Sequence, residues 1–312
     1  MDAPGWLWVA FTIGGAGTQT VRNALQRGLT ERLGTLGATH VRFLFGLPFG
    51  LVFLAVAWAA GGLAGVSLTG AWAAWTLMGA VFQIAGTALM LAAMRERAFV
   101  VAIAYVKTEP VQIALFGLVF LGERLGPMAM VAVLVATAGV LLMSLPEARD
   151  AEASDAPAGP SAPGLRPALL GIASGAMFAL SAVGFRGGIV TLGEAPFAGR
   201  AVATLAGSLV LQTALLTGWL LARDPAVLRA ILRAWRPSLA AGVTGALASL
   251  MWFLAFSLQS AAAVRTVGLV EILFAQAASR RLFAQTPGRR EALGIALMVL
   301  GLALLLNAQE GA

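Results

Sequence analysis

Residues 98–121 read AFVVAIAYVKTEPVQIALFGLVFL. This stretch is long and apolar enough to cross a bilayer as a helix, which takes about 20 residues. Near its middle it nevertheless carries two charges and a helix breaker, Lys107, Glu109 and Pro110. A charge at the bilayer centre costs at least about 2.5–3.5 kcal/mol on insertion scales, so such residues usually face the protein interior and serve function. The stretch therefore predicts a membrane helix that contributes to a buried polar site.

The composition of the whole chain is that of a membrane protein. Its 312 residues are 59% hydrophobic and only 11% charged, against about 25% charged residues in a soluble domain. Long apolar runs recur along the chain, whereas a membrane barrel would show alternating segments of about ten residues. We therefore expect an all-α polytopic membrane protein with about ten transmembrane helices. The candidate spans are about 5–25, 36–60, 71–93, 98–121, 126–145, 166–187, 195–221, 237–258, 261–284 and 289–308.

Cysteine, histidine and charge usage narrow the chemistry. The chain has no cysteine and a single histidine, so disulfides, a thiol nucleophile and a cysteine or all-histidine metal site are excluded. We expect neither a metal nor a cofactor. The net charge is +7 and 20 of the 21 basic residues are arginines. Most stand singly or in pairs between apolar runs, which favours control of membrane topology over a nucleic-acid partner.

The chain divides into two similar halves. Residues 146–165 are rich in proline, alanine, serine and acids and predict a flexible linker between residues 1–145 and 166–312. Shifting the first half by 162 residues places Glu109 on Glu271 and Gly139 on Gly301. We interpret this recurrence as an internal duplication. Because five helices is an odd number, the halves must be inverted, and such a 5+5 repeat is a transporter architecture with a site near the bilayer midplane.

The arginines also predict an orientation. They concentrate in the loops that follow the odd-numbered spans, while the other loops carry little besides Arg124. The positive-inside rule then places the odd-numbered loops in the cytoplasm and both termini outside.

Helical spacing predicts which side chains meet at depth. Tyr105, Glu109 and Gln112 stand at i, i+4 and i+7 and would share one face. Pro110 frees the carbonyl of Val106 and kinks the helix. These groups would line one polar cavity, because freed backbone groups at membrane depth need protein or water to receive them.

Other polar residues in apolar runs complete the candidate site. Glu271 mirrors Glu109 in the second half, so the two carboxylates would face a shared cavity. The structural alternative is that these charges pair across helices and only hold the bundle together. The further candidates for substrate binding or coupling are Lys107, Arg265, Arg42, Arg200, Gln19, Asn23 and Gln83.

The segment EPVQIALFGLVFLGERLGPMAMVAVLVATAGVLLM, residues 109–143, resembles an EamA-type half of the drug/metabolite transporter superfamily. It has a proline in span four, Gly-Glu-Arg in the following loop and a glycine in span five. The second half is similar but degenerate, with Ile272 in place of the proline and Gln285 in place of the loop glutamate. The resemblance implies ten helices in an inverted repeat and secondary transport or exchange of small metabolites. It also implies cytoplasmic termini, against the charge distribution.

Together these features predict a secondary transporter in the cytoplasmic (inner) membrane and not an enzyme. Its partners would be the lipid bilayer and a small polar, zwitterionic or amphipathic metabolite that crosses through a central cavity. A buried glutamate could exchange a proton for substrate, since desolvation favours the neutral acid. The alternatives are a non-transporting membrane sensor or subunit and a lipid-active membrane enzyme, for which no nucleophile or phosphate-binding motif is present.

Overall fold

The computed structural model describes residues 4–96, 105–144, 165–274, 276–277 and 289–310. Within these ranges the ordered segments are helical and no strand occurs. The predicted linker 146–165 lies outside them except for Leu165, where a helix begins. The helices are α1 (Leu7–Leu44), α2 (Leu47–Ala59), α3 (Gly70–Glu96), α4 (Glu109–Leu121), α5 (Pro127–Ser144), α6 (Leu165–Val190), α7 (Phe197–Arg223), α8 (Pro225–Arg233), α9 (Trp235–Leu258), α10 (Ala261–Val267) and α11 (Arg289–Glu310).

Proline and glycine mark several helix ends. Pro48, Pro110 and Pro225 lie in the first turns of α2, α4 and α8, where a missing backbone N–H costs nothing. Gly122 ends α4 in the left-handed region at φ 66°, a conformation that glycine adopts without steric cost.

Five helical segments of the described chain are long and apolar enough to cross a membrane. Three shorter apolar helices accompany them, Glu109–Leu121, Pro127–Leu142 and Ala292–Ala308. Many large apolar side chains on these helices are exposed, as a lipid-facing surface requires. The long segments are Leu7–Ala59, Gly70–Glu96, Arg166–Val190, Phe197–Arg223 and Trp235–Leu258.

The first of these segments turns back on itself at Gly34. This residue has φ 69° and ψ 175°, outside helical values. The amide nitrogen of Gln26 donates to the carbonyl of Ala38 at 2.9 Å, although residues 12 apart in a straight helix are separated by about 18 Å. The chain therefore reverses here, and α1 consists of two arms, residues 7–33 and 35–44. The predicted spans 5–25 and 36–60 lie on opposite sides of this turn.

Three helix pairs make the most extensive contacts of the bundle: α1 with α9, α3 with α6, and α5 with α11. Close backbone approach characterises the last pair. A Cβ at Gly139 would lie 2.5 Å from the backbone nitrogen of Met298, and a Cβ at Gly301 would lie 2.5 Å from that of Ala136. Small residues at such positions let membrane helices pack closely.

Gly301→Ala is therefore expected to destabilise the protein by about 1–3 kcal/mol, the usual cost of forcing extra volume into a packed core. The added methyl group would clash with backbone atoms of α5, which cannot move aside as a flexible side chain can. The matched control is Gly218→Ala on α7, where a Cβ would meet nothing within 4 Å. Thermal unfolding in detergent should separate the two variants. Equal melting temperatures would contradict the close packing of α5 and α11.

Regular helix is interrupted within the described part of the quoted stretch 98–121. Residues 97–104 lie outside the described part of the chain. Tyr105 and Val106 are helical, Lys107 and Thr108 form a turn, and α4 begins at Glu109. The second half shows a similar irregularity, because a 3-10 turn over Gly268–Val270 separates α10 from Glu271. Each of the two glutamates thus follows a break in regular helix.

Candidate functional site

A narrow cavity lies among α1, α3, α6, α9 and the two helix breaks. The space open to the centres of water molecules is about 20 Å³, little more than one water needs. The lining side chains therefore nearly fill it. They are Gln19, Arg22, Asn23, Arg42, Gln83, Met90, Val106, Lys107, Glu109, Phe178, Phe185, Ser249, Trp252, Phe253, Phe256, Arg265 and Glu271.

Glu271 is the most extensively bound carboxylate of the cavity. Lys107 pairs with its Oε2. Gln19 donates to Oε2 at 2.7 Å, and Asn23 donates to Oε1 at 2.9 Å. Both Lys107 and Glu271 are buried. Among the described residues, three donors and no acceptor face this side chain, which is the arrangement that suits an ionised carboxylate.

The two amides are held in position by further donors. The indole N–H of Trp252 donates to the Gln19 Oε1 at 3.0 Å. The Arg22 guanidinium donates to the Asn23 Oδ1 through Nε at 3.2 Å and through Nη2 at 2.7 Å. Because each amide oxygen is occupied in this way, each amide nitrogen points to Glu271.

Glu109 has a weaker set of partners. Its Oε1 lies 3.3 Å from the Nε of Arg265, but neither atom makes a hydrogen bond. The Arg265 guanidinium also lies over the ring of Trp252, 4.3 Å from its centroid, and 5.6 Å from that of Phe256. Such cation–π contacts gain strength where water is excluded.

Arg42 reaches the cavity from the second arm of α1. Its Nη1 donates to the Thr87 hydroxyl on α3 at 3.2 Å, and its Nη2 donates to the Ser249 hydroxyl on α9 at 3.3 Å. Thr87 and Ser249 are 162 residues apart, the same shift that relates the two glutamates. Arg42 thus bonds to two hydroxyl groups that this sequence shift relates.

A second polar cluster lies outside the cavity lining. Glu123, from the Gly-Glu-Arg loop, pairs with the Nε of Arg186 at 2.9 Å. Arg186 also donates to the carbonyl of Phe256. Arg200 donates to the neighbouring carbonyl of Ser257 at 3.4 Å. These contacts tie α4, α6 and α7 to the end of α9.

Most of the residues singled out from the sequence meet in the cavity. The structure brings together Glu109, Glu271, Lys107, Arg265, Arg42, Gln19, Asn23 and Gln83.

Three of the candidates lie elsewhere. Tyr105 packs against Gly171 on α6, Gln112 donates to the Thr108 hydroxyl at 3.2 Å, and Arg200 belongs to the outer cluster. Of the three residues predicted to line one cavity, Tyr105, Glu109 and Gln112, only Glu109 does so, and regular helix is interrupted between Tyr105 and Glu109. The Val106 carbonyl lies beside Gly175 on α6, where an added Cβ would be 2.9 Å from its oxygen.

The comparisons with known proteins agree with this fold. Residues 6–145 match the EamA-like transporter family. This part of the chain is therefore similar to that family, and the resemblance predicted from residues 109–143 is confirmed. The match and the long apolar helices together support a multi-pass membrane protein. This is a family of transporters and not of enzymes.

Solved structures extend the likeness to the whole chain at the level of fold. One, described only as "Crystal structure of protein", superposes with a TM-score of 0.64 over 98% of this chain and 97% of that chain, at 19% sequence identity. No curated protein gives a significant match.

Two cavity residues of functional interest escaped the sequence reasoning. Arg22 is absent from the candidates predicted from the sequence, although Gln19, Arg22 and Asn23 stand at helical spacing in the segment that matches the EamA-like family. That spacing alone would have placed all three on one face. Trp252 lies in the interior of α9 and not near a helix end, where tryptophans of membrane proteins usually meet the interface. Its position within an apolar run is the sequence feature that could have marked it as a cavity residue.

Proposed function

We propose that the protein is a secondary transporter that carries a small polar metabolite across the cytoplasmic membrane through the central cavity. The observation that carries this proposal is the meeting of six charged side chains in the middle of an apolar helical bundle. Buried charges are expensive at membrane depth and mark substrate or ion pathways. The cavity is nearly filled by its own side chains, so it fits a closed state from which a carrier opens.

The packing supports a two-fold related 5+5 arrangement of ten helices. Gly139 contacts Met298, and Gly301 contacts Ala136. Gly139 and Ala136 of the first half correspond to Gly301 and Met298 of the second under the 162-residue shift, so the two contacts are equivalent. The same shift places α3 on α9 and, with small gaps, α1 on α6. The pair of α1 with α9 then corresponds to the pair of α6 with α3. We infer an inverted repeat that rocks about the cavity in alternating access.

The charges favour an orientation with both termini outside the cytoplasm. Helix α8 is amphipathic, with Arg229 and Arg233 exposed and Ile231 buried. A basic helix of this kind suits the surface of an anionic cytoplasmic leaflet. It lies in one of the odd-numbered loops, which the positive-inside rule also places there.

We assign proton coupling to Glu109. Protonation of Glu271 would weaken its interactions with three donors, whereas Glu109 has one ion pair without a hydrogen bond. The charged groups that act on Glu109 are Arg265, Lys107 and Glu271. Glu109→Gln is therefore expected to make transport independent of the pH gradient. Vesicle flux measured with and without a pH gradient checks this. A variant that keeps the wild-type response would contradict the assignment.

Metabolite profiling of medium and cell extract tests the function itself. The comparison is between cells that express the wild type and cells that express the double variant Lys107→Met, Glu271→Gln, which removes a charge pair without leaving one charge alone. Arg229→Gln on the exposed face of α8 is the matched control. A compound redistributed by the wild type and the control, but not by the double variant, supports the proposal. Identical profiles for all three would contradict it.

A sensor or non-transporting subunit remains the second candidate. It would bind a ligand in the same cavity without moving it, so it predicts ligand-dependent stabilisation of the purified protein and no flux across a vesicle membrane.

A further inference from the structure

The described lining of the cavity carries more positive than negative charge. Its cations outnumber its carboxylates by two. The cations are Arg22, Arg42, Lys107 and Arg265, and the carboxylates are Glu109 and Glu271.

The carboxylates are already engaged by two of the cations. Lys107 pairs with Glu271, and Arg265 pairs with Glu109. Arg22 and Arg42 are left without a carboxylate partner of their own. Each of these two arginines is at most 3% exposed, so bulk water does not neutralise the excess charge.

The partners of Arg22 and Arg42 are neutral. Arg42 donates only to hydroxyl groups, and Arg22 donates to the Asn23 amide. The Nη1 of Arg22 is buried and makes no hydrogen bond. The charges that act most strongly on Arg42 are those of Arg22 and Arg265, and both repel it. Glu271 attracts Arg22, but it is already paired with Lys107. Within the described chain, Arg22 therefore has an unused donor, and neither arginine has a carboxylate of its own.

The backbone of α9 brings the two arginines together. A Cβ at Gly245 would lie 3.2 Å from the Arg42 Cγ and 3.4 Å from the Arg22 Cδ. Both side chains thus run across the same glycine. Their charges repel each other, and in a water-poor site such repulsion is unfavourable unless an opposite charge joins the two groups.

We propose that Arg22 and Arg42 bind the anionic group of the transported solute, a carboxylate or a phosphate. Guanidinium groups suit both groups because they present several N–H donors in a fixed plane. Phe178, Phe185 and Phe253 line the same cavity and offer contact to an apolar portion of the solute. This inference rests on the proposed transport function and narrows it to small organic anions. A solute with an unpaired cationic group would be repelled by the net positive charge of the cavity.

Ligand-dependent thermal unfolding of the purified protein tests the proposal. The probes are succinate for carboxylates and inorganic phosphate and glycerol 3-phosphate for phosphates. L-lysine and glucose, at matched ionic strength, are the cationic and neutral controls. The proteins are the wild type, Arg22→Gln, Arg42→Gln and the surface control Arg229→Gln.

We expect at least one anion to raise the melting temperature of the wild type and of Arg229→Gln. Its affinity should fall at least about tenfold in Arg22→Gln and Arg42→Gln, since each loses charge-assisted hydrogen bonds. Stabilisation by succinate would indicate a carboxylate site, and stabilisation by inorganic phosphate or glycerol 3-phosphate would indicate a phosphate site. If the cavity variants do not fold, Arg42→Lys replaces them, and loss of the planar fork should weaken binding in the same direction.

Two results would overturn the proposal: no stabilisation of the wild type by any of the anions, or the same stabilisation in all four proteins. The proposal and the transport function fail separately. Anion binding without flux in vesicles would reject transport and keep the site, whereas flux of a cationic or neutral solute alone would keep transport and reject the site.

Discussion

Lys107→Met is expected to lower the free energy of unfolding by about 3–5 kcal/mol, because it leaves the buried carboxylate of Glu271 without its counter-charge. Glu271→Gln should have a similar cost, since it leaves the ammonium group unpaired. The double variant should be less destabilised than the sum of the two, because neither charge then remains alone. Denaturation of the four proteins in mixed micelles gives the coupling energy directly.

The matched control for this cycle is Glu123→Gln paired with Arg186→Gln. Those side chains are about 20% exposed, so water compensates the partner that is left, and each single change should cost less. Additive effects of Lys107→Met and Glu271→Gln would show that the pair does not interact in the folded protein.

Trp252→Ala is expected to destabilise the protein by about 3–5 kcal/mol, the usual cost of deleting a large buried aromatic ring. The ring is 3% exposed and lies beneath the Arg265 guanidinium. Trp252→Phe keeps an aromatic face but leaves the Gln19 carbonyl oxygen unpaired, so it should cost about 1–3 kcal/mol. The same denaturation experiment measures both variants.

Trp58→Phe is the control for this series, because Trp58 is 73% exposed at the end of α2. It should change stability by less than about 0.5 kcal/mol. The order of effects should therefore be Trp252→Ala, then Trp252→Phe, then Trp58→Phe. A stability of Trp252→Phe equal to that of Trp58→Phe would contradict the hydrogen bond to Gln19.

Composition and polar residues at depth predicted much of the site. A charge or an amide inside an apolar run stands out because lipid does not solvate it, and for this reason Lys107, Glu109, Glu271, Gln19 and Asn23 could all be named before the structure. The sequence could not predict from which side of the cavity each of these side chains projects into it. Three of these residues, Lys107, Glu109 and Glu271, lie in or next to helix breaks, and local periodicity does not predict where a membrane helix is interrupted.

The partners of these residues also lay beyond the sequence. Lys107 was a candidate for substrate binding or coupling, but its pairing with Glu271 depends on how the start of α4 approaches the 3-10 turn. Arg200 illustrates the opposite error. It was a candidate for the central cavity, whereas it bonds to the end of α9. An arginine in an apolar run can also bond to backbone carbonyls at a helix end, and the sequence does not distinguish the two surroundings.

Likewise, the charge excess of the cavity could not be read from the list of candidates. The sequence suggested both signs of charge and hence a zwitterionic metabolite. Only the pairing of the two carboxylates with Lys107 and Arg265 leaves Arg22 and Arg42 available for an anion.

The most direct measurement is efflux from phospholipid vesicles that contain the purified protein and are loaded with a low-molecular-weight cell extract. Mass spectrometry of the external solution would compare the wild type, Arg229→Gln and the double variant Lys107→Met, Glu271→Gln. The account predicts that the first two release a common small set of solutes, enriched in anions, and that the double variant retains them. Retention of every solute by wild-type vesicles, or equal release by all three, would contradict transport through the central cavity.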